Sequence, residues 1–367
     1  MRAEAFRRRW REGIAPRSVD GRVATVVDNW FPRFLANGLD YLDVRRTVDG
    51  ISAWQEWPDR WVAAGERYET LGDEALEAGH EVTAAAHLKR AALTYQFAQF
   101  VLTDDVDRRE RIHRRMARVY RAAAPLLSPP AEEVLIPWRG IEMHGYLRRP
   151  GGIDDAPLVV LIPGLESTKE QFTTFEPYLL ERGLATLSFE GPGQGETWYG
   201  CAFDNDDYLD AVSALRETID SLTRVAHDRL ALLGTSFGGY LAIRCAPALS
   251  PAAVVDIAGP YDLADIEELQ PVIHENFAHF MKIAPDDLAE RGRSITLQGV
   301  LPLAADLLVV HGEKDNIIPF ENARRVLADQ PGATAFLFPD GNHSCNNLHT
   351  VVRPAIGDWL ADRLNAA

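Results

Sequence analysis

The sequence predicts a two-part chain: a helical first part, then an α/β part built on a mostly parallel sheet covered by helices. Three observations carry this. Apolar residues recur at three- and four-residue steps from about Val23 to Leu127. The prolines of Leu127-Ser-Pro-Pro-Ala then end the helical pattern. Beyond them, six short apolar runs without alternation, as strands buried on both faces require, are each followed by a segment suited to a helix or a loop. The boundary is placed at residue 130, giving a helical domain over 1–130 and a sheet domain over 131–367.

In the first part, Trp54, Trp57, Trp61, Val62 and Gly65 follow helical spacing, and Pro58 suits a first helical turn, where its missing N–H does no harm. Thr83 to Leu102 is rich in alanine and aromatics and reads as a closely packed helix. Asp105 to Leu127 reads as another, whose Arg108, Arg109, Arg111, Arg114 and Arg115 are expected to form a solvated basic face. The helix-pair pattern slightly resembles a tetratricopeptide array, but no second copy follows at a fixed period, which excludes a solenoid.

In the second part, Glu133 to Pro137 and Ile141 to Leu147 read as an antiparallel strand pair turning near Arg139-Gly140. The buried strands are expected at Leu158–Ile162, Ala185–Phe189, Leu230–Leu233, Ala253–Ile257, Leu307–Val310 and Ala335–Phe338. A helix is expected from Val351 to Leu364. Ligands of such sheets bind beyond the carboxyl ends of the strands, so the loops there are the ones to search.

After the third run stands Gly234-Thr235-Ser236-Phe237-Gly238, a G-x-S-x-G elbow that sets a serine on a strand-to-helix turn. A five-residue pattern is weak alone and gains from its company. After Leu158–Ile162 comes Pro163-Gly164-Leu165-Glu166-Ser167-Thr168, in which the N–H of Leu165 is a candidate oxyanion donor beside that of Phe237. One such donor typically contributes about 3–4 kcal/mol to the transition state. Thr168 suits a helix N-cap, and Glu166 either follows that turn or faces the pocket.

Asp315 follows the run near Leu307, and His343 follows the last run. The order Ser236, Asp315, His343 is that of α/β-hydrolases and not of chymotrypsin or subtilisin. Glu313 competes with Asp315 for the acid role, and the proline turn after Asp315 favours the latter. His311 reads as a strand-end histidine and His349 as structural. The loop Glu190-Gly-Pro-Gly-Gln-Gly-Glu lacks both phosphate-binding spacings and reads as structural. Residues 262–301 interrupt the strand-helix rhythm and are expected to form a lid packed on the helical domain. Glu267, Glu268, His274 and Glu275 are its candidate polar pocket residues.

Together these stretches resemble the 2,6-dihydroxypseudooxynicotine hydrolase-like α/β-hydrolases, which carry an N-terminal helical domain and are related to fungal pigment-precursor hydrolases that shorten polyketides. The resemblance rests on Pro163 to Glu170, Glu190 to Glu196, Gly234 to Gly239, His311 to Asp315 and Gly341 to Asn347. It implies hydrolysis of a carbon–carbon bond next to a ketone on an electron-rich aromatic ring by Ser236, His343 and Asp315. Glu190 departs from the aspartate that such loops often carry. A carboxylesterase with the same three residues is the alternative, and a non-catalytic interaction protein the alternative of another class.

A net charge of −16 argues against nucleic acid or an anionic membrane as partner, and no apolar run approaches the length of a membrane span. Cys201, Cys245 and Cys345 are scattered, which predicts neither a disulfide framework nor a zinc site. The basic N-terminus lacks a following apolar core and does not read as a secretory signal. A cytoplasmic enzyme acting on a small-molecule substrate is expected, with no metal or organic cofactor. The apolar content of the helical part raises a homodimer as a further expectation.

Overall fold

The computed structural model describes residues 20–365, apart from 265, 267 and 268. Its first part is helical: α1 Gly21–Ala36, α2 Tyr41–Val48, α3 Trp57–Glu77, α4 Glu81–Gln99 and α5 Val106–Ala123. Asp20, Asp40 and Asp105 cap α1, α2 and α5 by accepting first-turn N–H bonds, and Pro58 lies in the first turn of α3. Trp30, Phe34, Trp57, Trp61, Phe97 and Phe100 meet in one aromatic cluster with centroids 4.7–6.5 Å apart.

The arginine face of α5 differs from the solvated stripe expected. Arg115 and Arg118 both bind Glu69 of α3, at 2.9 and 2.5 Å, and Arg109 turns into a cavity. The apolar side of α5 is anchored deeply enough to bring its flanking arginines against neighbouring helices.

The second part holds an eight-stranded sheet: β1 Ala131–Trp138, β2 Ile141–Arg148, β3 Ala156–Ile162, β4 Ala185–Phe189, β5 Val225–Thr235, β6 Ala253–Ile257, β7 Asp306–Gly312 and β8 Thr334–Phe338. The spatial order is β1-β2-β4-β3-β5-β6-β7-β8. β2 runs antiparallel to both neighbours, and the remaining pairs are parallel. β5 begins five residues before the apolar run that marked it, because His227-Asp-Arg interrupts its apolar character. Helices α6 Glu176–Leu180, α7 Asn205–Ser221, α8 Phe237–Leu249, α9 Pro271–Met281, α10 Leu288–Gly292, α11 Glu321–Asp329 and α12 His349–Leu364 complete the chain.

The pleat divides the strands between two cores. Val159, Leu161, Leu233 and Val310 pack with Phe172, Leu179 and Trp359 on one face. Leu158, Val160, Ile162 and Leu232 face the other way, into a cluster continuous with Trp30, Phe34 and Tyr95 of the helical part. The helical part therefore lies on the sheet through a shared core.

The insertion after β6 closes on itself through an Asp262–Thr296 bridge. Its helix α9 lays Phe277 and Phe280 on Phe237 at 5.5 and 5.6 Å, and Gln270 accepts a 2.7 Å hydrogen bond from Asn29 of α1. It thus covers the elbow and touches the helical part at once.

Candidate active site

The elbow is built by close approach. A Cβ at Gly234 would lie 1.8 Å from the Gly238 oxygen, and one at Gly238 would lie 2.1 Å from the Ile162 oxygen, so only glycine fits either flank. Ser236 between them takes φ 57° and ψ −129°, a strained conformation that turns its side chain out at the end of β5.

His343, on the loop after β8, places Nε2 2.9 Å from Ser236 Oγ and Nδ1 2.8 Å from Asp315 Oδ2. Asp315 is 8% exposed, and its other oxygen accepts the N–H groups of Ile317 and Ile318, both at 2.9 Å. Glu313 is exposed on the same loop, which decides between the two candidate acids. His311 is fully buried; Nε2 donates to the Ile318 oxygen at 3.0 Å, and burial lowers its pKa, so it is a neutral strand-end residue. Chemically, the run offers a hydroxyl whose proton passes to an imidazole held by a carboxylate.

The Pro163–Thr168 loop passes directly over the serine: a Cβ at Gly164 would lie 3.0 Å from Ser236 Cβ. Thr168 and Gln171 form a capping box, as the N-cap expectation requires. The Phe237 N–H opens α8 and so has no partner within the helix. Glu166 faces the site: Oε1 accepts from Asn276 Nδ2 at 3.0 Å, and Oε2 lies 3.6 Å from Arg33. Arg33 also donates to Ser167 Oγ at 2.9 Å, and Gln96 Nε2 donates to the Glu166 carbonyl at 2.7 Å.

The serine cavity is lined by Arg33, Glu166, Phe172, Ile257, Cys345 and His349 among others. His349 opens α12 and bonds the Asn346 oxygen through Nδ1 at 3.0 Å, so it forms cavity wall. The cysteines are free, and burial pushes the Cys245 and Cys345 thiols up to about 12, far from thiolate chemistry. Among the described residues, no cluster of three or more His, Cys, Asp or Glu side chains is suited to a metal ion, and no helix is long and apolar enough to cross a membrane.

Comparison with known proteins adds the family. Residues 42–282 match the family described as Esterase FrsA-like. Along 348 residues the chain is 33% identical to 2,6-dihydropseudooxynicotine hydrolase of Paenarthrobacter nicotinovorans, covering 92% of each protein. The chain belongs to the FrsA-like esterase family. It is an α/β-hydrolase by fold and a hydrolase by class. The crystal structure of 2,6-dihydroxy-pseudo-oxynicotine hydrolase superposes with a TM-score of 0.84 at 32% identity, over 92% of this chain and 96% of that one. A second relative, the α/β hydrolase ucsC of Acremonium sp, is 30% identical over 57% of this chain and 48% of its own.

The family match spans the oxyanion-loop candidate and Ser236 and ends before Asp315 and His343. The sequence reading missed Arg33, Gln96, Arg109, His113, Asn276 and His279 near the site. Gln96 and Gln99 carried a signal, since both interrupt the apolar run from Leu93 to Leu102 and both are buried. Of the polar lid candidates, Glu275 pairs outward with Arg22 at 3.3 Å, and neither it nor His274 lines the serine cavity. One helical turn fixes this outcome, because α9 presents Asn276, Phe277 and Phe280 inward. Glu267 and Glu268 lie outside the described residues.

Proposed function

We propose that the chain is a serine hydrolase that cleaves a carbon–carbon bond next to a ketone in a small aromatic or β-dicarbonyl substrate. The observation that carries the mechanism is the hydrogen-bonded run from Ser236 through His343 to Asp315. His343, oriented by Asp315, takes the Ser236 proton as Oγ attacks the carbonyl. The oxyanion lies against the N–H groups of Phe237 and Leu165. On collapse the carbon–carbon electron pair leaves with the aryl carbon, which takes the proton from His343. A phenol that tautomerises stabilises that carbanion. Water, deprotonated by His343, then releases the acyl group as a carboxylic acid.

Support for carbon–carbon cleavage comes from the loop motifs and from likeness along 92% of the chain to 2,6-dihydropseudooxynicotine hydrolase. A carboxylesterase with the same residues is the second reading, favoured by the family's description as esterases. A non-catalytic role is set aside by membership of a hydrolase family.

Incubation with an aryl β-diketone and with a simple aryl ester, followed by product analysis, separates the two readings. The expected outcome is an arene or ketone plus a carboxylic acid from the diketone. Intact diketone beside rapid ester turnover would put the esterase reading in its place. Ser236→Ala is expected to fold normally and to lose roughly 10⁴-fold or more of turnover. A rate near wild type would remove Ser236 as nucleophile.

A further inference from the structure

A second cavity adjoins the serine cavity, and the two share Glu166, Ser167 and Thr168 as wall. The second is enclosed by α5, the Gly193–Tyr199 turn and lid helix α9, and its wall includes Gln99, Arg109, His113, Trp198, Asn276 and His279. Several of its polar atoms lack partners. Gln99 Oε1, His113 Nε2, Asn276 Oδ1 and His279 Nε2 are buried from water and make no hydrogen bond. Among the described residues, Arg109 has no carboxylate within ion-pair distance and no hydrogen bond to a protein group. Buried polar atoms are nearly always paired, so several unpaired ones around a single cavity mark a place for a polar ligand.

The unpaired guanidinium of Arg109 gives the sign of that ligand. Arg109 keeps its proton although burial lowers its pKa, and its guanidinium lies 5.9 Å from the Trp198 ring. Burial lowers His113 to about 4 and His279 to about 3, which leaves both neutral. His113 Nδ1 is engaged with the Tyr199 hydroxyl at 2.9 Å, and His279 is stacked on Trp198 at 4.4 Å. Of the nearby carboxylates, Glu166 is part of the wall, where it engages Arg33 and Asn276 and opposes the lowering of the Arg109 pKa by burial, and Glu196 is held by Lys169. Gln99 Oε1 and Asn276 Oδ1 are acceptors, so the donors this cavity offers a ligand are Arg109, His113 and His279, beside a flat aromatic wall.

We propose that this cavity is the subsite for an oxyanionic substituent of the substrate, a carboxylate or an ionised phenol, bound by Arg109 with His113 and His279. The assignment rests on Ser236 being the nucleophile. Leu165 forms part of the wall, and its neighbour Gly164 lies against Ser236, so the subsite begins one residue along the loop from the reacting carbonyl. Arginine is suited to this task by its planar fork of donors.

Activated esters test the subsite without requiring carbon–carbon cleavage. The carboxylate pair is the mono-para-nitrophenyl ester of glutaric acid against para-nitrophenyl butyrate. The phenol pair is an ester carrying an ionised dichlorophenol against its phenyl counterpart. Wild type is expected to favour the anionic member of at least one pair by about tenfold or more in kcat/KM, as a charge-assisted contact provides. Arg109→Met brings that ratio toward one, mainly through KM, and Arg109→Lys retains part of it. The pair that responds identifies the anion. No preference in wild type, or a preference that survives Arg109→Met, overturns the subsite even while both esters turn over. If the methionine variant fails to fold, the wild-type ratio and the lysine variant decide. Absence of any acylation of Ser236 would bring down the nucleophile assignment, and the subsite with it.

Discussion

Ser236 and Asp256 lie beside each other at the ends of β5 and β6 and illustrate two costs of building the elbow. The positive φ of Ser236 costs on the order of 1–3 kcal/mol and is held by two short backbone bonds, Ser236 N–H to the Ile257 oxygen and Gly239 N–H to the Ser236 oxygen, both 2.7 Å. Asp256 is buried against the same turn, its Oδ1 accepting from the Gly259 N–H at 2.8 Å, and burial raises its pKa to about 7. The unfolded carboxyl ionises near 4, whereas the folded one keeps its proton until about 7. Between those values the folded state binds the extra proton, so the contribution of Asp256 to stability is full below about pH 4 and is lost as pH rises to about 7. The loss amounts at most to about 4 kcal/mol, at roughly 1.4 kcal/mol per unit. Asp256→Asn cannot ionise and should remove that slope. Urea titrations of both proteins at several pH values should therefore give a variant that gains on wild type from pH 5 to 8, and parallel curves would refute the argument.

The loops flanking β3 and β4 are joined by a single ammonium. Lys169 Nζ lies 2.8 Å from Glu170, 2.9 Å from Glu190 and 2.8 Å from Glu196, and Lys169, Glu170 and Glu190 are all buried. Burial alone would lower the lysine pKa, but the three carboxylates raise it well above its ordinary value. Glu190 also accepts the N–H groups of Lys169 and Glu196, both at 3.1 Å, so the glycine-rich loop folds around its side chain. Lys169→Met leaves Glu170 and Glu190 buried without a counter-charge, while Glu196 keeps Arg121 at 3.4 Å, and is expected to cost about 3–5 kcal/mol in denaturant unfolding. A loss within the range of an ordinary surface substitution would mean that the cluster is already solvated. The sequence reading of this loop as structural holds for a reason visible only here. The glycines announced a tight turn, but nothing local indicated that Lys169 would reach across from the preceding loop to Glu190, 21 positions away. The elbow, by contrast, is dictated within five residues by sterics, and was legible for that reason. Asp315 and His343 were legible because each follows its own apolar run, although the edge strand β8 before His343 is half exposed and not buried on both faces as expected, and strand order alone brings those loops to one edge.

At the scale of the whole molecule, the helical part reaches the site through the Pro163–Thr168 loop, by contacts that span 70 positions from Gln96 to Glu166 and 134 from Arg33 to Ser167. No local pattern encodes such pairs, which is why the triad candidates could be read from sequence and their surroundings could not. The same loop is fixed from the sheet side by Gln194 Nε2, which donates to the Pro163 oxygen at 2.8 Å. If the Leu165 N–H stabilises the oxyanion, the helical part contributes to catalysis by holding that N–H in place. Gln96→Leu keeps the volume of a fully buried side chain and deletes the 2.7 Å bond to the Glu166 carbonyl, together with the bond that Gln99 Nε2 donates to Gln96 Oε1 at 2.5 Å. A misplacement of about 1 Å can cost roughly 10²-fold in rate, so acylation by an activated ester should slow by tenfold to a hundredfold, with KM little changed. Leu88→Ala supplies the control: it opens a cavity between α3 and α4, where Leu88 lies against Gly72, and is expected to cost about 2–5 kcal/mol of stability. Below the unfolding temperature of both variants, Leu88→Ala should retain the wild-type acylation rate while Gln96→Leu does not. Equal rates in the two would reduce the helical part to a cover over the sheet, because a brace that matters must act on kcat at a stability where mere packing does not.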